Sequence, residues 1–369
     1  YEIALRSKDG TWRAFEISPS IIRYENRPAT QNIIRDITQR RMQQKALRAS
    51  ETKYRATVEH TGTAIMLIEE NRVISLVNRQ FERLTGFSRE EIEHVFGRSR
   101  VIKNRFKRYE FYQPLRDRTL AMIFEKASTR TRVSFEAGMY QMGGSVIHLT
   151  TGDSQLSRAE PIEDTARVMS RFVYGIVIRS GSDQHVSKLA EHASVPVVNA
   201  LTPLYHPCQA LADLLTLKER FGGLDGLKVA YVGDGNNVAR SLAIAGSLTG
   251  VEVVVAAPEG YQLESDAPAR LTDDPIEAVK GADAIYGDVW VSMGDEETAD
   301  QRRADLAPFI IDANLLAAAK KETVVMHCLP AHPGEEITAE VLYGDRSVVW
   351  DQAENRLHAQ KALLEYLIA

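Results

Sequence analysis

Cysteine is scarce in this 369-residue chain, which contains only Cys208 and Cys328. Two cysteines cannot build a disulfide framework, so the composition favours a reducing, cytoplasmic setting. Long apolar runs are missing as well. The longest, such as VEVVVAAP from Val251, are strand-sized and fall short of the roughly 18 residues of a membrane span, so we expect no membrane segment. A secretory signal pattern is also missing, and the chain begins at Tyr1 instead of methionine, from which we expect the natural N-terminus to lie upstream.

Charge is unevenly distributed, although the net charge is only −5. Residues 1–110 carry 22 Lys and Arg against 14 Asp and Glu, whereas the rest of the chain carries 23 against 36. Such a step usually separates modules. The basic residues of the first part are scattered among acidic ones and not clustered with aromatic residues, so we expect no nucleic-acid partner.

From Leu115 onward, short apolar runs alternate with helical segments, which is typical of parallel α/β sheets. A break near residues 221–228 (FGGLDGLK) divides this pattern into two units. The runs that predict buried strands are RTLAMIFEK, GIVIRS, VPVVNAL, LKVAYVGDG, VEVVVAAP, DAIYGDVW and TVVMHCLP.

The earlier part of the chain has a different pattern. Residues 1–37 predict antiparallel strands around a KDG turn, followed by a helical linker, and residues 63–78 predict a hairpin turning at Glu70–Asn71. Ser88 and Glu91 then have the spacing of a capping box, which predicts that a new helix begins there.

The strongest chemical signal is the run STRTR at Ser128–Arg132, where a predicted strand ends and a helix begins. Backbone N–H groups at a helix N-terminus, together with the helix dipole, bind anions. The hydroxyls of Ser128, Thr129 and Thr131 add donors, and Arg130 adds a bidentate cation. An ordinary Ser/Thr cap explains one hydroxyl but not this density of donors, so the run predicts a phosphate site.

Histidine and cysteine occur together twice, at His206–Cys208 and at His327–Cys328. Neither pair has the usual spacing of zinc ligands and no further cysteine exists, so we expect no metal. His206 and the nearby Gln209 precede a helix and could donate to a carbonyl oxygen, although a helix-capping histidine explains the pattern about as well. Cys328 as a nucleophile would need a base, and His327, adjacent on a strand, points to the opposite face.

Polar residues also follow two later strands. In GDGNN, a dinucleotide fingerprint would need a third glycine where Val238 stands, so NAD is the weaker alternative. Asn236 and Asn237 still suit ligand contact at the carboxyl edge of a sheet. Asp288, in DVWVSMG, could anchor an ammonium group, and an Asp cap with a generic turn is the simpler alternative.

Together these segments resemble the ornithine carbamoyltransferase family. The resemblance runs from about Phe87 to the C-terminus, and STRTR, HPCQ, GDGNN, DVWVSMG, HCLP and ENRLHAQ occur in the family's order. It implies an α/β fold of two parallel-sheet domains and transfer of a carbamoyl group from carbamoyl phosphate to the δ-amine of L-ornithine. It also implies no cofactor, no metal and at least a homotrimer.

The resemblance also implies which residues bind each substrate. Carbamoyl phosphate would be held by Ser128, Thr129, Arg130, Thr131, Gln155, Arg179, His206, Gln209 and Arg356. Ornithine would be held by Asn237, Asp288, Ser292, Met293, Cys328 and Leu329. Arg130, His206 and Cys328 would form the catalytic set.

Residues 1–86 resemble parts of PAS sensory domains, a partial α+β region. Residues 1–40 are similar to the C-terminal strands of one copy, and 41–86 to a linker helix and the opening half of a second. A carbamoyl phosphate-binding domain is then expected at 87–224, completed by a C-terminal helix at 352–369, with an ornithine-binding domain at 225–351. Two alternatives stay open: a PAS-type sensory or regulatory protein, and a carbamoyltransferase for another amine such as putrescine.

Overall fold

The computed structural model of the chain describes residues 2–6, 12–24, 27–37, 66–68, 74–77, 88–126, 128–150, 160–292 and 296–369. These residues fall into two compact units, of which the first holds an N-terminal antiparallel sheet and the second holds all the other elements. None of the described helices is long and apolar enough to cross a membrane.

The N-terminal sheet contains β1 (Glu2–Arg6), β2 (Trp12–Tyr24) and β3 (Arg27–Asp36) in sequence order. Both strand pairs are antiparallel, as predicted. In the second unit, β4 (Met66–Ile68) and β5 (Ile74–Val77) form a further antiparallel pair, which agrees with the predicted hairpin. The KDG turn, the linker helix and the turn at Glu70–Asn71 lie outside the described residues.

Helix α1 (Arg89–Lys107) begins at the predicted capping box. The Ser88 hydroxyl accepts a hydrogen bond from the Glu91 backbone N–H (3.1 Å), and the Glu91 carboxylate accepts one from the Ser88 N–H (2.9 Å). These two bonds satisfy N–H groups that a helix start otherwise leaves without partners. Ile92, Val95 and Phe96 are buried on one side of this helix.

The first parallel sheet has the strand order β7-β6-β8-β9. Its elements, in chain order, are β6 (Thr119–Phe124), α2 (Thr129–Gln141), β7 (Ser145–Thr150), α3 (Ile162–Met169), β8 (Gly175–Arg179), α4 (Asp183–His192), β9 (Val197–Leu201) and α5 (Pro207–Phe221). Side chains of β6 alternate between two apolar clusters: Leu120, Met122 and Phe124 face one, while Ala121 and Ile123 face the other. Helices therefore cover both faces, as parallel sheets require.

The second parallel sheet has the strand order β12-β11-β10-β13-β14. Its strands are β10 (Lys228–Val232), β11 (Glu252–Ala256), β12 (Arg270–Thr272), β13 (Ala284–Gly287) and β14 (Val324–His327). Its helices are α6 (Asn237–Thr249), α7 (Pro275–Val279), α8 (Ala299–Leu306), α9 (Ala313–Ala318) and α10 (Ala339–Leu342). All seven predicted strand runs contain a strand, while β7 and β12 were not predicted.

Helix α11 (Val349–Ile368) starts at the second sheet and returns to the first. Val349 belongs to the apolar core of the second sheet, whereas Leu363, Leu364 and Ile368 belong to that of the first. The first turns of α11 thereby lie between the two sheets, where a charged side chain can reach a site formed by both.

Candidate active site

A cavity of about 740 Å³ lies where strands of both parallel sheets end. The segments that follow β6, β8, β9, β10, β13 and β14 line it, together with one residue of α11. In parallel α/β sheets the carboxyl ends of the strands are the usual place for a ligand, because loops and helix N-termini converge there. The cavity is cationic at one end and contains a buried carboxylate at the other.

At the cationic end, helix α2 presents its N-terminus to the cavity. Ser128 occupies the capping position with extended backbone (φ −158°), but its side chain makes no capping hydrogen bond. The hydroxyl is therefore available to a ligand, together with the N–H groups of the first turn. This removes the simpler explanation of Ser128 as an ordinary helix cap.

Three guanidinium groups line the same end: Arg130, Arg179 and Arg356. Arg179 and Arg356 are buried, at 8% and 4% exposure. Burial, together with the charges of Arg356 and Arg130, lowers the pKa of Arg179 to about 10. Its Nε atom has no hydrogen-bond partner among the described residues. Three guanidinium groups in one place favour an anionic ligand.

Arg356 connects α11 to α2 and α5 through two hydrogen bonds. Its NH2 donates to the Thr131 hydroxyl (2.7 Å) and its NH1 to Oε1 of Gln209 (2.6 Å). Arg130 instead reaches across the cavity, donating to the Leu329 carbonyl (2.8 Å) after β14. Leu329 has a left-handed backbone with φ +57°, which is uncommon outside glycine and often marks functional sites.

His206 lines the cavity beside these arginines and is buried. Burial, Arg356 and Arg179 lower the pKa of His206 well below its usual value, so the imidazole is neutral. A neutral imidazole carries one N–H donor. Its Nδ1 has no hydrogen-bond partner within the described part of the chain, and its backbone N–H donates to the Ser241 hydroxyl (2.7 Å).

Asp288 provides the carboxylate at the other end and is 7% exposed. Its Oδ2 accepts a hydrogen bond from the Asn236 amide (2.7 Å), and its Oδ1 accepts one from the Cys328 thiol (2.7 Å). Asn236 also caps α6 through Oδ1, which accepts from the Val238 N–H (2.9 Å). Asn237, one residue on, donates to the Thr202 carbonyl (2.7 Å).

Burial and the neighbouring Asp288 raise the pKa of Cys328 well above its usual value, so its sulfur is a protonated donor. The adjacent His327 does not contact it: His327 Nδ1 accepts from the Leu329 N–H (2.9 Å), and Nε2 faces Glu336 (3.4 Å). A thiolate nucleophile activated by a histidine is therefore not what this geometry forms.

Two family models of the aspartate/ornithine carbamoyltransferases match nearly all of the part of the chain that forms the two parallel sheets. The carbamoyl-P binding domain matches residues 79–219, and the Asp/Orn binding domain matches residues 225–367. An ornithine carbamoyltransferase of Paracidovorax citrulli is 53% identical over 297 residues, which are 79% of this chain and 96% of that protein. The enzyme of Nitrosomonas eutropha is 52% identical over 297 residues, 79% of this chain and 97% of that protein.

Solved structures with a similar fold belong to the same family of enzymes. The ornithine carbamoyltransferase from Pyrococcus furiosus has a TM-score of 0.74 and 48% identity, covering 77% of this chain and 95% of its own. The one from Thermus thermophilus has a TM-score of 0.71 and 44% identity, covering 78% and 97%. This chain belongs to the ornithine carbamoyltransferase family.

Most of the residues to which the family resemblance assigned a role meet in this one cavity. Twelve of them line it: Ser128, Thr129, Arg130, Thr131, Arg179, His206, Asn237, Asp288, Ser292, Cys328, Leu329 and Arg356. Gln155 and Met293 lie outside the described residues. Gln209 does not line the cavity; it is buried behind Arg356, whose guanidinium it contacts.

Other lining residues had no role assigned from the sequence. Lys126 and Ser180 lie at the cationic end, and Thr202 and Asp234 follow β9 and β10. Each is a polar residue at the end of a predicted strand run or just beyond it, which is the signal that could have found them. Gly235 has a structural reason for being glycine: a Cβ there would lie 2.7 Å from the backbone of Tyr261 and Leu263.

Within the described residues, one group of side chains has metal-ligating atoms close together, namely His332, Glu335 and Glu336, all within 4.8 Å. His332 also lines the cavity. Glu335 already pairs with Arg303 (3.2 Å), and the His332 side chain is about half exposed. We assign no metal to this group.

Proposed function

We propose that this chain transfers the carbamoyl group of carbamoyl phosphate to the δ-amine of L-ornithine, giving L-citrulline and phosphate. The observation that carries the proposal is the polarity of the cavity, with three guanidinium groups at one end and the Asp288 carboxylate at the other. A dianionic donor and an acceptor with an ammonium group would fit these two ends. The relatives at 52–53% identity are named for this reaction.

The cationic end is suited to the phosphoryl group of the donor. The free Ser128 hydroxyl, the first-turn N–H groups of α2 and the buried Arg179 would bind its oxygens. Burial and then the charges of Arg356 and Arg130 lower the pKa of Arg179, and binding a dianion would offset the repulsion among these arginines. The full set that we propose for carbamoyl phosphate is Ser128, Thr129, Arg130, Thr131, Gln155, Arg179, His206, Gln209 and Arg356.

The acidic end is suited to the amino-acid part of ornithine. Asp288 is buried and held by Asn236, so its carboxylate is fixed where an α-ammonium group could pair with it. Asn237 would shift its amide from the Thr202 carbonyl to the substrate. The set that we propose for ornithine is Asn237, Asp288, Ser292, Met293, Cys328 and Leu329.

Between the two ends, the chemistry needs positioning and stabilisation of charge. The neutral δ-amine attacks the carbamoyl carbon, the carbonyl oxygen becomes an oxyanion, and the C–O bond to phosphate then breaks. The oxyanion re-forms the carbonyl as the leaving phosphate takes the bonding electron pair, and a phosphate oxygen can accept the proton that the amine loses. Neutral His206 and the guanidinium groups of Arg130 and Arg356 would stabilise the oxyanion, and holding both substrates together supplies the rest.

The test measures phosphate release and the carbamoylated product with carbamoyl phosphate and a panel of amines: L-ornithine, an acylated ornithine, putrescine and L-aspartate. We expect L-ornithine to be the preferred acceptor and Arg130→Ala to reduce kcat by at least about 10²-fold, the typical cost of one lost oxyanion donor. Arg116→Ala, which removes a side chain that is 80% exposed and outside the lining of the cavity, is the matched control. Preference for putrescine, or normal citrulline production by Arg130→Ala, would contradict the proposal.

We also propose a division into domains and a PAS-like N-terminal segment. The two parallel sheets, and the return of α11 to the first one, support domains at 87–224 with 352–369 and at 225–351.

The antiparallel sheet β1–β3 supports the PAS-like assignment of residues 1–86. Removing residues 1–86 should leave kcat for citrulline unchanged if this segment is a passenger, and a changed rate would indicate regulation.

A homotrimer in the cytoplasm is our proposal for the assembly and its setting. Support for a trimer comes from apolar side chains exposed on the first sheet's side: Val133 (57%) and Tyr140 (56%) on α2 and Ile147 (42%) on the edge strand β7. Support for a reducing setting comes from two free thiols, one of them Cys328 in the cavity. Light scattering should give three chains per particle, and Val133→Glu should dissociate it.

A further inference from the structure

A carboxylate that no assigned role uses is buried behind the cavity. Asp213 lies on α5, one turn after Gln209, and is fully buried. Its Oδ1 accepts hydrogen bonds from the amides of Gln209 (2.8 Å) and Gln352 (2.7 Å). Its Oδ2 accepts one from the Tyr286 hydroxyl (3.0 Å). The carboxylate therefore joins α5, α11 and β13, which come from both sheets.

Both amides are held in one orientation by this carboxylate, because a carboxylate accepts and cannot donate. The Gln209 Nε2 must face Asp213, so Oε1 faces Arg356, whose guanidinium can only donate. In the same way, Nε2 of Gln352 faces Asp213, and its Oε1 accepts from the His327 backbone N–H (2.9 Å).

Two branches thus leave one oxygen atom and end at two different segments beside the cavity. The branch through Gln209 ends at Arg356 at the cationic end. The branch through Gln352 ends at His327, the residue before Cys328 and Leu329. We propose that Asp213 is a positioning residue for the transfer reaction, setting the Arg356 guanidinium and the Cys328–Leu329 backbone in place relative to each other. This proposal rests on the proposed function.

Stability alone does not account for a carboxylate at this position. Burial raises the pKa of Asp213 to about 7, against the effect of the Gln352, Gln209 and Tyr286 hydrogen bonds and of Arg356. Buried charged groups are often replaced by apolar residues of similar volume without loss of stability. What an apolar residue cannot do is orient two amides, and that is the role that the geometry leaves to Asp213.

The test compares Asp213→Leu, which has similar volume but no acceptor, with Asp213→Asn, which keeps an acceptor oxygen for both amides. We expect kcat of Asp213→Leu to fall by about 10²-fold, as misplacements near 1 Å do. The KM for carbamoyl phosphate should rise as well, because Asp213 acts through Gln209 and Arg356, which belong to the set that we propose for this substrate. Asp213→Asn should keep kcat within a few-fold of the parent. The control Tyr286→Phe should do the same, because it removes the Oδ2 contact and the hydrogen bond that Tyr286 accepts from Gln352 (3.1 Å) but leaves both amides bound to Oδ1.

A purely structural role would give different results. An Asn variant as slow as the Leu variant, or a Leu variant with normal kcat, would overturn the proposal. A double-mutant cycle adds a second criterion: the effect of Asp213→Leu should shrink in a Gln209→Leu background, and full additivity would count against it.

Gln352→Leu covers the case in which Asp213→Leu does not fold, because it cuts one branch and leaves Asp213 bound by Gln209 and Tyr286. We expect its kcat to fall by about tenfold with a near-normal KM for carbamoyl phosphate, and a normal kcat would overturn the proposal. Citrulline formation by the parent enzyme is the common control. If the parent enzyme makes no citrulline, the proposed function is wrong. If the parent makes citrulline and the variants have a normal rate, only the proposed role of Asp213 is wrong.

Discussion

Among single residues, Cys328 combines a position in the cavity with a thiol that resists ionisation. Burial is the main cause, and the charge and hydrogen bond of Asp288 add to it. Since the thiolate is the reactive form, alkylation of Cys328 by iodoacetamide at about pH 8 should be much slower than that of a free thiol. Asp288→Asn removes the added carboxylate charge and should accelerate the reaction several-fold.

Mass spectrometry of the alkylated peptides measures this rate, and Cys208 provides an internal control. Burial raises the pKa of Cys208 to about 12, and its thiol donates to the Asn199 carbonyl, away from Asp288. Its alkylation should therefore be slow in both proteins. Equal rates at Cys328 with and without the Asp288 carboxylate would show that burial alone sets its reactivity.

At this scale, the amino-acid sequence predicts which residues surround the cavity better than it predicts their partners. Asp288 and Cys328 follow strands of one parallel sheet, whose carboxyl ends lie at the same edge. Arg130 follows a strand of the other sheet, and only the family resemblance predicted that it would share a site with them. The direction of each side chain is a tertiary property. Asn236 holds Asp288 whereas Asn237 contacts Thr202, and no spacing rule distinguishes two adjacent asparagines.

At the scale of elements, helix α11 contains a buried histidine whose titration affects stability. His358 is fully buried, and burial lowers its pKa to about 4 despite the opposing effect of Glu354, while Lys361 and Lys103 lower it further. Between pH 6.5 and 4 the unfolded chain binds a proton at this histidine that the folded chain does not. The free energy of unfolding should therefore fall as the pH is lowered through this window, by up to about 3 kcal/mol from His358.

Urea denaturation at several pH values checks this expectation, with His358→Gln as the matched variant. Carboxylates also titrate in this range, so the informative quantity is the difference between the two proteins. The variant should lose less stability than the parent between pH 6.5 and 4. Parallel curves would mean that His358 is already protonated in the folded protein or stays neutral in both states.

Strand prediction succeeded for the central strands and failed at two edges. The seven predicted runs are short, apolar and bounded by turns, as strands covered on both faces are. β7 (SVIHLT) is an edge strand with an exposed or half-buried residue at every position, and β12 has three half-buried residues. β9 and β14 are edge strands too, but they have apolar runs and were predicted; β7 and β12 lack such a run, so this pattern could not detect them.

For the whole molecule, the cationic cluster of the cavity predicts that an anion stabilises the fold. Phosphate, a product of the proposed reaction, should bind among Arg130, Arg179 and Arg356 and offset their repulsion. A ligand that binds only the folded state at about 100 times its Kd adds about 2.7 kcal/mol to the free energy of unfolding. Thermal unfolding with phosphate should therefore occur at a clearly higher Tm.

Potassium chloride at equal ionic strength is the control for this measurement. It should leave the Tm almost unchanged, and Arg179→Met should remove most of the shift caused by phosphate. An equal shift with chloride would mean that general screening, and not a bound anion, stabilises the protein.

The return of α11 has a consequence for how the chain is made. Leu363, Leu364 and Ile368 complete the apolar core around β6 and α2, more than 200 positions earlier in the sequence. While the chain is being synthesised, the apolar core of the first sheet stays partly exposed to solvent until those residues leave the ribosome. The second sheet, whose strands and helices lie between, can form its core earlier. The order of folding is thus expected to be the reverse of the order of synthesis, with the first sheet most in need of protection from aggregation.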